Sequence, residues 1–137
     1  MGQFDKGRQL AKQALSINPN VIPARLLLSR FHLDENQFQE AIQLLEPARA
    51  QAPENAEILL ALGDAHFQSG NFQRAAELFD KASTLRGADT NLLNALGVSH
   101  AQLGNTGRAQ EFLKRSLELD PSQQEIQKIL ATLNPSK

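Results

Sequence analysis

Residues 56–89 read AEILLALGDAHFQSGNFQRAAELFDKASTLRGAD, and the rest of the chain repeats this pattern at a spacing of 34 residues. A leucine followed by a small residue recurs at that spacing, as do an alanine, a second small residue, a phenylalanine and a histidine. These columns contain Leu28-Ser29, Leu62-Gly63 and Leu96-Gly97; Ala41, Ala75 and Ala109; Ala48, Ala82 and Ser116; Phe4, Phe38 and Phe72; and His32, His66 and His100. Several columns that agree at one spacing indicate an internal repeat rather than a coincidence of composition.

The composition excludes several classes of protein. The 137 residues fit one domain with enough apolar side chains for a core. The 14 basic and 15 acidic residues nearly cancel, so no overall field favours nucleic acid or an anionic membrane. The chain has no cysteine, which excludes disulfides, thiolate zinc sites and a cysteine nucleophile. Because there is neither a signal core at the N-terminus nor an apolar run long enough to insert into a membrane, we expect a soluble protein, with the cytoplasm favoured over the periplasm.

The spacing of apolar residues predicts eight helices. They cover residues 3–17, 23–33, 38–50, 56–68, 72–85, 91–102, 106–119 and 122–133. Asn55 and Asp89 are predicted N-caps, and Ser122 begins a capping-box signature for the last helix. Pro47 lies inside the third helix and removes the hydrogen bond to the Gln43 carbonyl, so we expect its last turn to bend or fray.

Small residues mark the places where helices must approach one another. Glycine or alanine at these positions allows two helix axes to come within about 8–10 Å. The positions are Gly63, Gly97, Ala41, Ala75 and Ala109, and the space beside them is filled by Leu28, Leu62, Leu96, Leu45, Phe79 and Leu113. No unit can bury its apolar face alone, so we expect neighbouring units to stabilise one another.

This pattern resembles the tetratricopeptide repeat, a unit of two helices with small residues at fixed places and a proline at the link. The resemblance covers a half repeat (3–21), three full repeats (22–55, 56–89 and 90–123) and a capping helix (122–133) in a single domain. It implies an all-α fold, a right-handed superhelix (α-solenoid) of antiparallel helix pairs. Departures from the family pattern are Arg25, Leu59 and Leu93 in the early aromatic column, the histidines in the later tyrosine column, and Gly87 where proline is usual.

The resemblance also implies a protein-interaction scaffold. In the family, the first helices of the pairs line a concave groove that binds a protein or peptide. The matching positions here are Leu26, Arg30, Leu33, Leu60, Asp64, Phe67, Asn91, Asn94, Val98 and Ala101. One subgroup of the family uses lysines, arginine and asparagines in these columns to clamp a C-terminal carboxylate, whereas most positions here are Leu, Ala, Asp or Val. We therefore predict a mixed groove without that clamp, suited to an extended or helical segment with apolar anchors.

Several of these residues also have a structural interpretation. Arg30, Asp64 and Asn94 are equally well explained as a solvated polar surface, and Phe67 as a core residue. The three histidines suggest a metal site, but an intervening helix separates successive copies by about 10 Å or more. Zinc requires ligand nitrogens at about 2.0–2.1 Å. We therefore expect the histidines to pack between hairpins, each with one ring nitrogen hydrogen-bonded.

Two other functions stay open. The first is self-association as a homodimer, because the half repeat leaves Phe4 and Leu10 without their usual cover and an identical chain could supply it. The second and more remote one is a metal-dependent enzyme, which only the histidine column suggests. No motif for phosphate binding, nucleophilic catalysis or calcium is present, so we predict no catalytic residue, no metal and no cofactor. Scattered basic residues without tyrosine or tryptophan predict no nucleic-acid role.

Overall fold

A computed structural model describes residues 2–134, without the side chain of Phe4. These residues form eight α-helices and no strand. The helices are α1 (Gly2–Ile17), α2 (Ile22–Asp34), α3 (Phe38–Gln51), α4 (Ala56–Gln68), α5 (Phe72–Arg86), α6 (Thr90–Gln102), α7 (Thr106–Leu119) and α8 (Gln124–Leu133). The predicted all-α fold is confirmed, and each helix begins and ends within two residues of its predicted position.

Each pair of helices forms a hairpin that packs against the next pair. α2 packs on α3, α4 on α5 and α6 on α7, while α3 contacts α4 and α5 contacts α6. α2 also contacts α4 directly, so the first helices of these two hairpins lie side by side. α1 packs on α2, and α8 packs on α7. The result is the α-solenoid that the repeat predicts.

The buried core lies between hairpins rather than inside them. One cluster consists of Leu45, Ala48, Ile58, Leu59, Leu62, Leu78 and Ala82, from α3, α4 and α5. A second consists of Ala75, Phe79, Leu92, Leu93, Leu96 and Phe112, from α5, α6 and α7. Because each cluster draws on two hairpins, no hairpin buries its apolar face alone. Within residues 2–134, every helix is too short or too polar to cross a membrane.

Two of the predicted helix caps form, and the predicted capping box does not. The Asn55 side chain accepts hydrogen bonds from the Glu57 and Ile58 amides at 3.0 and 3.3 Å. The Asp89 carboxylate accepts one from the Leu92 amide at 2.9 Å. The Ser122 hydroxyl instead donates to the Asp120 carboxylate at 2.6 Å, and α8 begins at Gln124 without a side-chain cap. The capping-box prediction was wrong because this carboxylate two residues earlier engages the serine hydroxyl.

The hairpin turns repeat at the same spacing as the helices. Asn36, Gly70 and Gly104 stand 34 residues apart and have φ values of 59°, 88° and 78°. A left-handed backbone is readily adopted by glycine and, among other residues, is tolerated best by asparagine and aspartate. The predicted positive φ of Gly70 is therefore confirmed, and Asn36 supplies the same conformation in the first hairpin.

The glycines of α4 and α6 lie where a second helix approaches closely. A Cβ atom on Gly63 would stand 2.4 Å from Phe79 Cε1, and one on Gly97 would stand 2.5 Å from Leu113 Cδ2. Atoms cannot approach that closely without one of them moving. Ala41, Ala75 and Ala109 are fully buried at the matching positions of the second helices. The prediction that small residues permit these contacts is confirmed.

Pro47 does not end α3. The helix continues to Gln51, and the Ala52 amide donates to the Ala48 carbonyl at 2.9 Å. The last turn is therefore helical rather than frayed. Because proline has no N–H, the Gln43 carbonyl still lacks its intrahelical donor.

Candidate functional site

A cleft lies between the first helices of two neighbouring hairpins, and we call it the α2–α4 cleft. It has a volume of about 430 Å³. Its lining consists of Leu26, Ser29, Arg30, Leu33, Asp34, Glu57, Leu60, Ala61, Asp64 and Gln68. Five of these were predicted from the sequence, namely Leu26, Arg30, Leu33, Leu60 and Asp64. The structure therefore brings half of the predicted groove residues together in one place.

A second depression of about 400 Å³ continues the cleft toward the start of α2. It shares Leu26, Arg30 and Glu57 with the α2–α4 cleft, and its other lining residues are Ile22, Pro23, Leu27 and Asn55. Leu27 is 39% exposed, which is high for a large aliphatic side chain. Four apolar residues of α2 thus form an open shelf beside the cleft, which we call the α2 shelf (Ile22, Pro23, Leu26 and Leu27).

The charges of the cleft are unbalanced. Arg30 is its one basic residue, whereas Asp34, Glu57 and Asp64 are acidic, which gives a net charge of −2 (1 − 3) when all four are ionised. Within residues 2–134, none of these four side chains has an oppositely charged group close enough for an ion pair. The cleft therefore carries negative charge that the described part of the chain does not neutralise.

Asp64 has the most perturbed carboxyl group in the cleft. Its side chain stays open to solvent, yet the surrounding protein atoms displace much of the water that would stabilise the ionised form. This desolvation raises the pKa of Asp64 from 3.8 to about 6. The aliphatic neighbours Leu60 and Ala61 line the cleft with it and offer no hydrogen-bond donor from their side chains.

The predicted groove residues of α6 do not belong to this cleft. Asn91 is exposed, and Asn94, Val98 and Ala101 are half-buried. The Asn94 amide nitrogen donates to Gln123 Oε1 at 2.7 Å, while the amide oxygen is buried without a hydrogen-bond partner in the described residues. The residue before α8 therefore covers Asn94. A partner-binding role for these four residues stays a prediction.

Phe67 packs into the protein rather than lining the cleft. Its ring meets that of Phe72 edge to face at 5.3 Å between centroids and lies 6.5 Å from the Phe79 ring. It also packs against the core cluster between α5, α6 and α7. The geometry favours the structural interpretation of Phe67, and its binding role stays a prediction.

Five residues of the cleft were not predicted as groove residues. They are Ser29, Asp34, Glu57, Ala61 and Gln68. Three of them lie on one face of α4 with Leu60 and Asp64, at positions 57, 61 and 68, and this helical spacing was available in the sequence. The spacing could therefore have extended the predicted groove, although it does not show which residues α2 leaves uncovered.

The histidine column lies at the ends of the first helices. His32 Nδ1 donates to Gln37 Oε1 at 2.6 Å, and the Asn105 amide nitrogen lies 3.3 Å from His100 Nδ1. The predicted hydrogen bond at one ring nitrogen thus forms at two of the three positions. His66 lacks it, because the Asn71 side chain instead accepts from the Arg74 amide at 3.3 Å.

His100 also contacts neighbouring second helices. It stacks on Phe112 with 5.6 Å between ring centroids, and its Nε2 lies 3.9 Å from Asp80 Oδ2 of α5. Burial lowers the pKa of His100, Arg108 lowers it further, and Asp80 opposes the shift. In residues 2–134 no three side chains of His, Asp or Glu form a group that could hold a metal ion.

The N-terminal helix presents apolar side chains to solvent. Leu10 is 56% exposed and Ile17 is 86% exposed, one on each of two turns of the same face of α1. The opposite face packs on α2 through Ala11, Ala14 and Leu15. The Phe4 side chain, which was predicted to share the exposed face, lies outside the described residues.

Comparison with solved structures identifies proteins of the same fold. The crystal structure of MamA superposes with a TM-score of 0.86 at 22% identity, over 96% of this chain and 77% of that chain. TTC0263, a thermophilic TPR protein of Thermus thermophilus, gives 0.72 at 24% identity, over 96% and 73%. The first TPR of Spaghetti (RPAP3), bound to the HSP90 peptide SRMEEVD, gives 0.71 at 21% identity, over 77% and 84%. At such identities the likeness shows the fold alone.

Comparison of the sequence itself gives two further findings. No curated protein matches the chain. The family model of the tetratricopeptide repeat matches three overlapping stretches, residues 1–47, 32–83 and 66–133. These matches cover nearly all 137 residues. The chain therefore belongs to the tetratricopeptide repeat family.

Proposed function

We propose that this chain is a protein-interaction scaffold that binds a peptide or protein segment in the α2–α4 cleft. The observation that supports it is the meeting of five predicted groove residues in one open cleft, next to the α2 shelf. Fold alone does not determine function, so the site has to support the proposal. A cleft with aliphatic walls and a few charged groups is suited to hold the side chains of another polypeptide.

The size of the site favours a segment rather than a whole protein surface. The cleft and the depression beside it have volumes of about 430 and 400 Å³. Such volumes lie at the lower end of the range for ligand pockets, about 300–1,000 Å³. They accommodate a few side chains of an extended or helical segment, with the leucines of α2 and α4 as apolar contacts. The RPAP3 structure with its HSP90 peptide is a precedent for peptide binding on this fold.

Charge reversal in the cleft tests the proposal. We expect the double variant Arg30→Glu/Asp64→Lys to retain less than about one tenth of the protein captured by the wild-type chain from an extract of its native source. Both side chains are exposed, so their replacement should leave the helical circular dichroism signal intact. Capture is measured by mass spectrometry on immobilised protein.

A matched control reverses the same two charges elsewhere. Lys114→Glu/Glu118→Lys changes two exposed side chains on α7, and neither residue lines the cleft. The control should capture the same proteins as wild type. Equal capture by both double variants and the wild-type chain would move the binding surface away from the cleft.

Self-association is the second candidate function, and the exposure of Leu10 and Ile17 favours it. An identical chain that covered this face would remove two large aliphatic side chains from water. Light scattering should then show a mass that rises with concentration for wild type and not for Leu10→Glu/Ile17→Glu. A monomer at every concentration in the wild-type chain would exclude this candidate.

A further inference from the structure

We infer that the segment bound in the α2–α4 cleft carries a lysine or arginine that pairs with Asp64, next to aliphatic side chains that lie on the α2 shelf. The inference rests on the proposed function and adds the chemistry of the partner. It concerns a basic, partly apolar segment, not an acidic one.

The charges around Asp64 support a cationic partner. α2 contributes Arg30 and Asp34 to the cleft, and α4 contributes Glu57 besides Asp64 itself. The corresponding positions of α6 hold Asn94 and Val98, which carry no charge. One cation therefore faces three carboxylates, and a segment with negative charge would add to the repulsion.

Asp64 is the group that gains most from such a partner. Desolvation makes its ionised form costly, and no cation in residues 2–134 lies close enough to compensate. A lysine ammonium or arginine guanidinium in contact with this carboxylate would restore the lost stabilisation. Because the cleft already excludes part of the water, the attraction between the two charges is screened less than on an open surface.

The apolar surface lies directly beside the acidic one. The α2 shelf shares Leu26 with the cleft, and Glu57 lines both depressions. A segment with an aliphatic residue on the shelf thus places its neighbouring residues near the carboxylates. Apolar contact and charge pairing then act on adjacent residues of the same segment.

The inference predicts a pH dependence with a defined sign. Only the ionised Asp64 attracts a cation, so protonation weakens binding as the pH falls through the value of about 6. Between pH 7.5 and pH 5 the affinity should fall about tenfold, because roughly one tenth of Asp64 stays ionised at pH 5. Asp64→Asn keeps the shape without the charge, and its affinity should change less over this range.

Selection from a phage library of random peptides of about twelve residues tests the chemistry without assuming a sequence. The wild-type chain should enrich peptides with Lys or Arg beside Leu, Ile, Val or Met. A selected peptide is then synthesised in three forms, with its Lys or Arg position occupied by lysine, norleucine or glutamate. Fluorescence anisotropy should give affinities in the order lysine, norleucine, glutamate, with about a tenfold loss from lysine to norleucine.

The variants separate this inference from the proposed function. Asp64→Asn should lose about tenfold for the lysine peptide and nothing for the norleucine peptide. Selected peptides without basic residues, or equal affinity for all three forms, would overturn the inference and leave peptide binding intact. A lysine peptide that binds Asp64→Asn as well as wild type would also overturn it. If no peptide were selected, the proposed function and the inference would both be contradicted.

Discussion

Replacing Phe79 by alanine should lower the free energy of unfolding by about 3–5 kcal/mol. Phe79 is 1% exposed and belongs to the cluster that joins α5 to α6 and α7. Its ring also lies against the backbone of α4 at Gly63 and 6.5 Å from the ring of Phe67. The alanine variant would leave a cavity bounded by two hairpins, so both should lose stability together. Urea denaturation followed by circular dichroism measures the change.

The contact between Gly63 and Phe79 provides the control. Gly63→Ala should cost about 1–3 kcal/mol, because its Cβ would collide with the Phe79 ring. The first hairpin carries Ser29 and Leu45 at the same two positions, and both are buried there. Gly63→Ala combined with Phe79→Leu should therefore cost less than the sum of the two single variants. A strictly additive double-mutant cycle would show that the two residues do not interact.

Replacing Pro47 by lysine should raise the free energy of unfolding by about 2–3 kcal/mol. Pro47 lies inside α3 with its ring exposed, and the helix continues to Gln51 despite the missing N–H. Lysine would donate the hydrogen bond that the Gln43 carbonyl lacks, and it is a good helix former. Thermal and urea unfolding of the two proteins measure the gain.

The same position one repeat later supplies the converse experiment. Lys81 lies 34 residues after Pro47 in an exposed position of α5. Lys81→Pro should therefore cost about 3 kcal/mol or more, whereas Lys81→Ala should change little. If Pro47→Lys failed to stabilise the chain, α3 would be accommodating the proline by a route that the spacing of the repeat does not provide.

The helices, their order and their turns were predictable because the determinants are local. Helical spacing, N-cap side chains and residues that adopt a positive φ act within a few neighbours along the chain. The small residues also gave the contacts at Gly63 and Gly97, since a repeat places every copy in the same environment. The capping box at Ser122 failed for a reason of the same range, because Asp120 competes for the hydroxyl.

The site was predictable only in part. The first-helix columns correctly identified five residues of the α2–α4 cleft, but Phe67 in the same columns turns toward Phe72 and Phe79. Asn94 was placed in the groove by its column, yet Gln123 hydrogen-bonds to it. A column assigns a residue to a face of its helix, and the residues that cover this face come from other parts of the chain.

The sequence by itself determined the repeat, the eight helices and the close contacts that stack the hairpins, since these follow from side-chain size and spacing. Only the tertiary structure decided that α2 and α4 leave an open cleft and that Gln123 covers Asn94. It also decided that Asp64 is desolvated without a cation in the described residues beside it. The physical reason is that desolvation and coverage depend on the distance between helices and on residues remote in sequence, which spacing along one helix does not encode.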